Sequence, residues 1–261
     1  MFAPDGEEPI AVPAATLVIF RHAPGGGAAQ LLMVQRAKEM RFAGGAAVFP
    51  GGRVDEADRV LAAKLGAAEP DALDEQAARI AAVRETLEET GLAVGFHQRP
   101  NLEEARRARA LLLESGELAP MLGAMGWTLD LDRLVPFSRW RPRHREARVF
   151  DTRFYLADLG TGAVDLAVDD TENTHLFWAS AADVLVMADS GEIKVIFPTR
   201  RNLERLAQFS NFAAALGHVA QFPSCMITPF MEVREGEPWL MIPDNAGYPV
   251  AGEKLDSASR G

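Results

Sequence analysis

The sequence contains a single cysteine, Cys225, among its 261 residues, so the chain can form neither an internal disulfide bond nor a CxxC metal site. We therefore expect a reducing, cytoplasmic compartment and a small, packed side chain at Cys225. Positive charge is also scarce, because 27 Lys and Arg residues stand against 37 Asp and Glu residues, giving a formal net charge of −10. Proteins that bind DNA or RNA usually carry a basic face, so a nucleic acid partner is not expected.

Long apolar runs are missing as well. No segment approaches the roughly 20 consecutive apolar residues that a membrane-spanning helix needs, so no membrane partner is expected. The opening stretch MFAPDGEEPIAVP is acidic and lacks the apolar core of a secretory signal. The overall composition, 48% hydrophobic and 25% charged, indicates a globular protein with a sizeable core.

The chain mixes short β-rich runs with amphipathic stretches. Strands are expected at residues 16–20, 31–36, 46–52, 147–159 and 175–180, with a closing hairpin formed by 225–233 and 238–242. Helices are expected at residues 74–90, 102–113, 118–125, 181–187 and 202–219, with at most a short break in the last. The first two strands flank the turn PGGG and predict a hairpin. Because strands and helices do not alternate strictly, the pattern favours an α+β fold with a mixed sheet flanked by helices.

A concentration of negative charge stands out in the segment 81–95, AAVRETLEETGLAVG. Like charges three or four positions apart on a helix repel each other, at about 0.2–0.5 kcal/mol per pair. At about 100° per residue, one face of this helix is apolar and can meet the core: Ile80, Val83 and Leu87. The carboxylates then share a separate face: Glu85, Glu88 and Glu89. This spacing suits a hard cation such as Mg²⁺, which prefers oxygen ligands, although a solvated acidic surface is the alternative.

The string RETLEETGL, residues 84–92, resembles the end of the Nudix box, whose pattern closes with R-E-U-x-E-E-x-G-U, where U is apolar. The matching residues are Arg84, Glu85, Glu88, Glu89, Gly91 and Leu92. Thr86 departs at one apolar position, Gln76 stands where a glutamate is expected, and Pro70 stands where a glycine is expected. Gly52 can supply that glycine if an insertion at about 53–70 interrupts the box, since 31 residues lie between Gly52 and Arg84.

A second element, LMVQRAKEMRFAGGAAVFPGG over residues 32–52, resembles the signature of coenzyme A pyrophosphatases within the Nudix superfamily. That signature reads approximately L-L-T-x-R-[S/A]-x3-R-x3-G-x3-F-P-G-G. The residues in register are Arg36, Ala37, Arg41, Gly45, Phe49, Pro50, Gly51 and Gly52, whereas Met33 and Val34 depart. Because this element ends at the expected glycine of the box, the two patterns lie in the right order and together resemble the coenzyme A diphosphatase branch.

The resemblance implies an α/β/α sandwich, which is the Nudix fold with a mixed β-sheet and helical insertions. We predict one Nudix hydrolase domain over residues 1–261, with an insertion within the box at about 53–70 and a helical insertion at about 98–126. The implied activity is metal-dependent hydrolysis of the diphosphate of CoA or acyl-CoA to 3′,5′-ADP and (acyl-)phosphopantetheine. The implied cofactor is Mg²⁺ or Mn²⁺.

The box residues receive catalytic roles from this resemblance. Glu85, Glu88 and Glu89 are implied as the metal ligands. Arg84 is implied as the residue that orients these glutamates by pairing with them, rather than as a contact to the substrate.

Substrate binding is implied for residues outside the helix. Gly51 and Gly52 permit a tight turn and a close approach of the backbone to metal or phosphate. Arg36 and Arg41 suit phosphate recognition, because a guanidinium group pairs bidentately with phosphate, although surface salt bridges are the alternative. Glu172 is a candidate general base, and a solvated turn is the alternative for this residue.

Two other functions stay open. The substrate could be another nucleoside diphosphate derivative, such as ADP-ribose, NADH or a dinucleotide polyphosphate, because a fold does not determine its substrate. The chain could also be a non-catalytic Nudix-fold binding protein, although such proteins usually lose box carboxylates that are present here. The expected partner is a small nucleoside diphosphate. An apolar group belongs either to the core or to a homodimer surface: Phe209, Phe212, Met226, Phe230 and Met231.

Overall fold

The computed structural model describes residues 10–36, 44–142, 148–160 and 173–258. Two of the predicted site residues, Arg41 and Glu172, lie outside these ranges, so their roles stay predictions. Among the described helices, none combines the length and the apolar character that crossing a bilayer requires.

Most of the described strands belong to one mixed sheet. Its members are β1 (Ile10–Arg21), β2 (Gln30–Arg36), β3 (Ala47–Val48), β4 (Gly51–Arg53), β5 (Val135–Trp140), β6 (Arg148–Asp158), β7 (Asn173–Ala179) and β8 (Met226–Ile227). Their spatial order is β3-β2-β1-β6-β5-β8, with β4 also paired to β1 and β7 to β2. A separate antiparallel sheet contains β9 (Phe230–Arg234), β10 (Glu237–Met241) and β11 (Gly252–Lys254).

The long strand β1 organises the main sheet. It runs parallel to β6 from the pair Ile10 and Arg148 to the pair Phe20 and Asp158. It runs antiparallel to β2 and to β4, so the predicted first hairpin is confirmed. This combination of parallel and antiparallel pairing confirms the predicted α+β class with a mixed sheet.

Helices cover both faces of this sheet. They are α1 (Glu56–Lys64), α2 (Pro70–Thr90), α3 (Leu102–Ser115), α4 (Leu118–Met125), α5 (Ala181–Asp189), α6 (Phe197–Leu206), α7 (Phe212–Gln221) and α8 (Leu255–Ala258). Successive side chains of a strand point to opposite faces. Accordingly, Leu17 of β1 lies in one buried cluster with Ile80 of α2, whereas Val18 lies in a second cluster with Leu203 of α6. The result is the predicted α/β/α sandwich.

The helix predicted over residues 202–219 is two helices. The first, α6, ends at Leu206, and the second, α7, begins at Phe212. The side chain of Asn211 accepts a hydrogen bond of 2.9 Å from the main-chain N–H of Ala214, which caps the start of α7. Asn favours this capping geometry over a helix interior, so it starts a new helix rather than continuing the first.

Two predictions near residue 225 were wrong. The run 225–233 is not one strand, because β8 pairs with β5 while Pro229 separates β8 from β9. Proline has no N–H to donate to a sheet, which accounts for the interruption. Cys225 is exposed rather than packed. The hairpin itself is confirmed, since β9 and β10 pair in antiparallel register.

Candidate active site

Helix α2 presents the three glutamates. It begins at Pro70, at a position where the missing N–H of proline leaves no helical hydrogen bond unmade. It ends before Gly91, whose φ of 73° is the left-handed conformation that glycine adopts without strain. Ile80, Val83 and Leu87 have no exposed surface, so the predicted apolar stripe does face the core. The opposite side of the helix is therefore left to the carboxylates.

Arg84 lies at the centre of the glutamate cluster, and its side chain is only 4% exposed. Its Nη1 donates to Oε1 of Glu85 at 2.9 Å and to Oε2 of Glu88 at 3.2 Å. Its Nε and Nη2 donate to Oδ1 and Oδ2 of Asp58, each at 3.0 Å. Nη2 also donates to the carbonyl of Arg53 at 2.9 Å. Burial lowers the pKa of Arg84, but the hydrogen bond to Asp58 and the surrounding carboxylates outweigh burial and raise the pKa above its ordinary value.

The box carboxylates are largely withdrawn from water. The side chains of Glu85 and Glu88 are 17% and 19% exposed, and Glu89 is buried. Burial raises the pKa of Glu85 to about 8, with Arg84 opposing the shift and the other two glutamates adding to it. Burial also raises the pKa of Glu88, again against the effect of Arg84. The cluster is thus a desolvated group of like charges and not a freely solvated surface.

The glycine turn after β3 lies directly against these carboxylates. The main-chain N–H of Gly51 donates to Oε2 of Glu89 at 3.0 Å. A Cβ atom on Gly52 would lie 2.3 Å from the carboxylate carbon of Glu85. A Cβ atom on Gly51 would lie 2.3 Å from the carbonyl oxygen of Ala15. Only glycine allows this approach, so the turn and the helix meet although helix α1 intervenes in the sequence.

The donor chemistry of the cluster suits a hard divalent cation. Mg²⁺ and Mn²⁺ prefer carboxylate oxygens, and three glutamates with one arginine leave a negative formal charge. In the part of the chain that the structure describes, no three His, Cys, Asp or Glu side chains are grouped as a metal site. Glu85 and Glu88 face Arg84 instead, and Glu89 accepts from Gly51. Arg84 donates to one oxygen of Glu85 and to one oxygen of Glu88, and the other oxygen of each carboxylate is not bonded to Arg84.

Two residues of this site were not predicted from the sequence. Asp58 of α1 is 1% exposed and forms the bidentate ion pair with Arg84. Arg109 of α3 donates through Nε to the main-chain carbonyl of Glu88 at 2.8 Å. The sequence does contain a local signal at Asp58, because Asp55 and Asp58 form the capping box that begins α1. That signal predicts a helix start and does not reveal the partner of Asp58.

Arg36 lies at the end of β2, in register with Asn173 of β7. Its main chain is hydrogen bonded to the segment before β3, through Ala46 and Gly45. Its guanidinium Nε is buried and has no hydrogen-bond partner among the described residues. The phosphate-binding role of Arg36 stays a prediction.

Comparison with known proteins agrees with this geometry. The model of the NUDIX domain matches residues 12–110. A Gallus gallus protein described as acyl-coenzyme A diphosphatase NUDT19 is 30% identical over 234 residues, which are 70% of this chain and 62% of that protein. The present chain thus spans less than two thirds of that relative. The crystal structure of a NUDIX hydrolase from Alicyclobacillus acidocaldarius has a TM-score of 0.69 and 29% identity, covering 80% of this chain and 96% of that one.

The mixed sheet, the glutamate helix and the glycine turn together define a Nudix fold. The chain contains a NUDIX domain over residues 12–110, and the resemblance to the Nudix superfamily carried by residues 84–92 and 32–52 is confirmed. Its NUDIX domain includes α1, α2 and the greater part of α3, so the carboxylates, Arg84 and Asp58 all lie within the matched region.

Proposed function

We propose that this chain is a metal-dependent diphosphatase that hydrolyses CoA or acyl-CoA to 3′,5′-ADP and (acyl-)phosphopantetheine. The observation that carries the proposal is the joined box, in which the carboxylates around Arg84 meet the turn at Gly51 and Gly52. A catalytic site needs these groups together, and a protein that only binds nucleotides does not need all three glutamates. We extend the proposal to one domain over residues 1–261, working as a cytoplasmic enzyme on a small-molecule substrate.

In the proposed reaction, water attacks one phosphorus of the diphosphate, and the bond from that phosphorus to the bridging oxygen breaks. A bound Mg²⁺ or Mn²⁺ would neutralise the charge on the leaving phosphate and lower the pKa of a bound water. Glu85, Glu88 and Glu89 would hold the cation. Arg84 orients Glu85 and Glu88, and the backbone at Gly51 holds Glu89. Glu172 is proposed as the general base that accepts the proton of the attacking water.

CoA is proposed as the substrate on two grounds. The first is the similarity to the chicken protein described as an acyl-coenzyme A diphosphatase. The second is the element at residues 32–52, which contributes Arg36 and Arg41. The Nε of Arg36 is buried and has no hydrogen-bond partner among the described residues, which supports an anion-binding role because an unsatisfied buried donor costs free energy that a phosphate would relieve. If CoA is not turned over, another nucleoside diphosphate such as ADP-ribose, NADH or a dinucleotide polyphosphate becomes the substrate to establish.

The test is a substrate panel with the purified chain. CoA, acyl-CoA, ADP-ribose, NADH and diadenosine polyphosphates are each incubated with Mg²⁺ or Mn²⁺, and products are separated chromatographically. We expect the highest kcat/KM for CoA or acyl-CoA and no turnover in the presence of a chelator. A higher kcat/KM for another substrate would reject CoA, and no turnover of any diphosphate would reject catalysis.

Isosteric variants connect the activity with the site. Glu88→Gln and Glu89→Gln keep the side-chain shape and remove a ligand charge, so each is expected to lower kcat by at least about 100-fold. Glu114→Gln, on the exposed side of α3, is the matched control and should leave kcat unchanged. Wild-type rates in both box variants would show that the glutamates are not part of the catalytic site.

A further inference from the structure

Helix α3 places an arginine against the end of the box helix α2. The Nε of Arg109 donates to the main-chain carbonyl of Glu88 at 2.8 Å. Because this carbonyl joins Glu88 to Glu89, the contact puts the guanidinium group beside the part of α2 that carries the carboxylates. Among the described residues, Arg109 forms no ion pair with Glu85 or Glu88, which pair with Arg84 instead. Arg109 is thus held beside the box by a neutral group, and no carboxylate of that pair cancels its charge.

The outer edge of the Arg109 guanidinium is left for another partner. Its Nη1 and Nη2 groups have no hydrogen-bond partner within the described part of the chain. A guanidinium group is a rigid planar fork, and two parallel N–H donors match two oxygens of a phosphate. Fixing Nε on the main chain orients this fork before any ligand arrives, so less conformational entropy is lost on binding.

A second arginine lies on the same edge of α3. At about 100° per residue, four side chains of this helix fall within about 60° of one another, and we call them the α3 edge: Leu102, Arg106, Arg109 and Leu113. Arg106 is exposed, and it has no hydrogen bond or ion pair to any other described residue. Like charges three positions apart on a helix repel each other, so a bound anion would relieve the repulsion between the two arginines.

The two ends of the α3 edge are apolar. Leu102 is 39% exposed and Leu113 is 54% exposed, and each lies about one turn beyond an arginine. Arginines followed by an exposed leucine suit a ligand in which a phosphate is followed by an apolar chain. The phosphopantetheine half of CoA has this order, because its phosphate is followed by a dimethyl-substituted carbon. The nucleotide half carries polar ribose and base next to its phosphates and fits the leucines less well.

The arginines outside the box reach it from different elements. Arg36, for which phosphate binding is proposed, lies on β2 beside the segment before β3. Arg109 lies on α3 and contacts α2. A substrate with a group on each side of its scissile bond requires two such binding regions.

We propose that Arg106 and Arg109 bind the phosphate of the phosphopantetheine half of the substrate, and that Leu102 and Leu113 contact the chain attached to it. The inference rests on the proposed function, since it divides a CoA substrate between two regions. It gives the helical insertion at about 98–126 a direct part in choosing the substrate.

The test is a calorimetric titration of the purified chain in Mg²⁺ with phosphopantetheine and, separately, with 3′,5′-ADP. Arg106→Ala should raise the dissociation constant of phosphopantetheine about tenfold, which is the lower end of what a hydrogen bond to a charged group contributes. It should leave the dissociation constant of 3′,5′-ADP within about twofold of the wild-type value. Because Arg106 is exposed and has no partner among the described residues, its Tm should not change.

Arg107→Ala is the matched control. Arg107 is also exposed, lies about 100° round the helix from Arg106, and carries the same charge. Its loss should leave the dissociation constant of phosphopantetheine within about twofold. Equal weakening in both variants would show that only the net charge of α3 matters. Weaker binding of 3′,5′-ADP instead of phosphopantetheine would put the nucleotide half on the α3 edge. Either result overturns the proposal.

A second variant tests Arg109 without removing its contact to α2. Arg109→Lys keeps the charge and a donor for the carbonyl of Glu88 but lacks the planar fork, so it should weaken phosphopantetheine binding and spare 3′,5′-ADP. Unchanged binding in both Arg106→Ala and Arg109→Lys would overturn the inference, as would a wild-type chain that does not bind phosphopantetheine.

The titration needs no turnover, so it separates this inference from the proposed function. A chain that binds phosphopantetheine through Arg106 and Arg109 but cleaves no CoA would reject the proposed function and leave the inference standing. A chain that cleaves CoA while both variants bind phosphopantetheine like the wild type would reject the inference alone.

Discussion

The main-chain N–H of Gly51 donates a 3.0 Å hydrogen bond to the carboxylate of Glu89, 38 positions further along the chain. This hydrogen bond joins the glycine turn after β3 to helix α2, although the two lie far apart in the sequence. It also makes Glu89 different from Glu85 and Glu88, which face Arg84. One box glutamate is therefore held by the backbone of the glycine turn, and two are held by an arginine.

The tight contact between the turn and α2 predicts a strong effect of Gly52→Ala. The added Cβ would lie 2.3 Å from the carboxylate carbon of Glu85, so that side chain or the turn must move. Because the atoms that the Cβ meets are the far end of the Glu85 side chain, we expect a loss of less than about 1 kcal/mol in the free energy of unfolding but at least a tenfold loss of kcat. Gly123→Ala is the control, since its Cβ meets nothing within 4 Å on helix α4 and should be neutral or stabilising. Equal effects of the two substitutions would contradict this packing.

The raised pKa of Glu85 predicts a pH dependence of stability in the metal-free chain. With a folded-state pKa of about 8 against an ordinary value of 4.5, the folded chain holds a proton that the unfolded chain releases between these values. Its stabilising contribution is therefore complete below pH 4.5 and is lost as the pH rises through 8. The neutral variant Glu85→Gln should show a smaller fall in Tm than the wild type between about pH 5 and pH 9. Parallel curves for the two proteins in thermal unfolding with a chelator would reject the assignment.

The contact between α3 and the end of α2 predicts a stability effect of Arg109→Ala. Arg109 donates to the main-chain carbonyl of Glu88, near the C-terminus of α2, where carbonyls lack helical partners. A hydrogen bond from a charged group contributes roughly 1.5–3 kcal/mol, and we expect a loss toward the lower end because Arg109 is partly exposed. The exposed Arg107→Ala on the same helix should change the free energy of unfolding by less than about 0.5 kcal/mol. The free energies of unfolding of both variants are measured by chemical denaturation, and equal losses would contradict the role given to Arg109.

The proposed substrate predicts selective effects of Arg36→Ala and Arg41→Ala. CoA carries a 3′-phosphate that 3′-dephospho-CoA lacks. An arginine that binds this group contributes roughly 1.5–3 kcal/mol, so its loss should lower kcat/KM for CoA about 10- to 150-fold and leave dephospho-CoA nearly unchanged. Equal losses for both substrates would place the arginine at the scissile diphosphate. No loss for either would leave it a structural role only.

Local patterns in the sequence predicted much of the fold and the clustering of the carboxylates on one helix. The apolar stripe of α2, its glycine cap and the clustered carboxylates all follow from helical periodicity, and the structure has them. The break between α6 and α7 also had a local signal in Asn211, a common capping residue, whereas the prediction over residues 202–219 allowed only a short break at no named position.

The remainder of the site depends on contacts between distant parts of the chain. Asp58 and Arg84 are 26 positions apart, and Arg109 and Glu88 are 21 apart. Asp58 does have a signal, because it lies six positions after Gly52, as the glutamate of the box follows its glycine. Nothing in the spacing of Arg109 and Glu88 pairs them, because the packing of α3 on α2 brings them together. The capping pattern at Asp55 explains why an aspartate is present at position 58 but not that it faces an arginine.

Helix α1 lies within the loop that the bond between Gly51 and Glu89 closes. Closing a longer flexible loop costs only about 0.6 kcal/mol for each doubling of its length, so an insertion between two fixed ends is thermodynamically inexpensive. The bond between Gly51 and Glu89 provides those fixed ends. In this chain the segment between those ends carries Asp58, which pairs with Arg84 beside the junction.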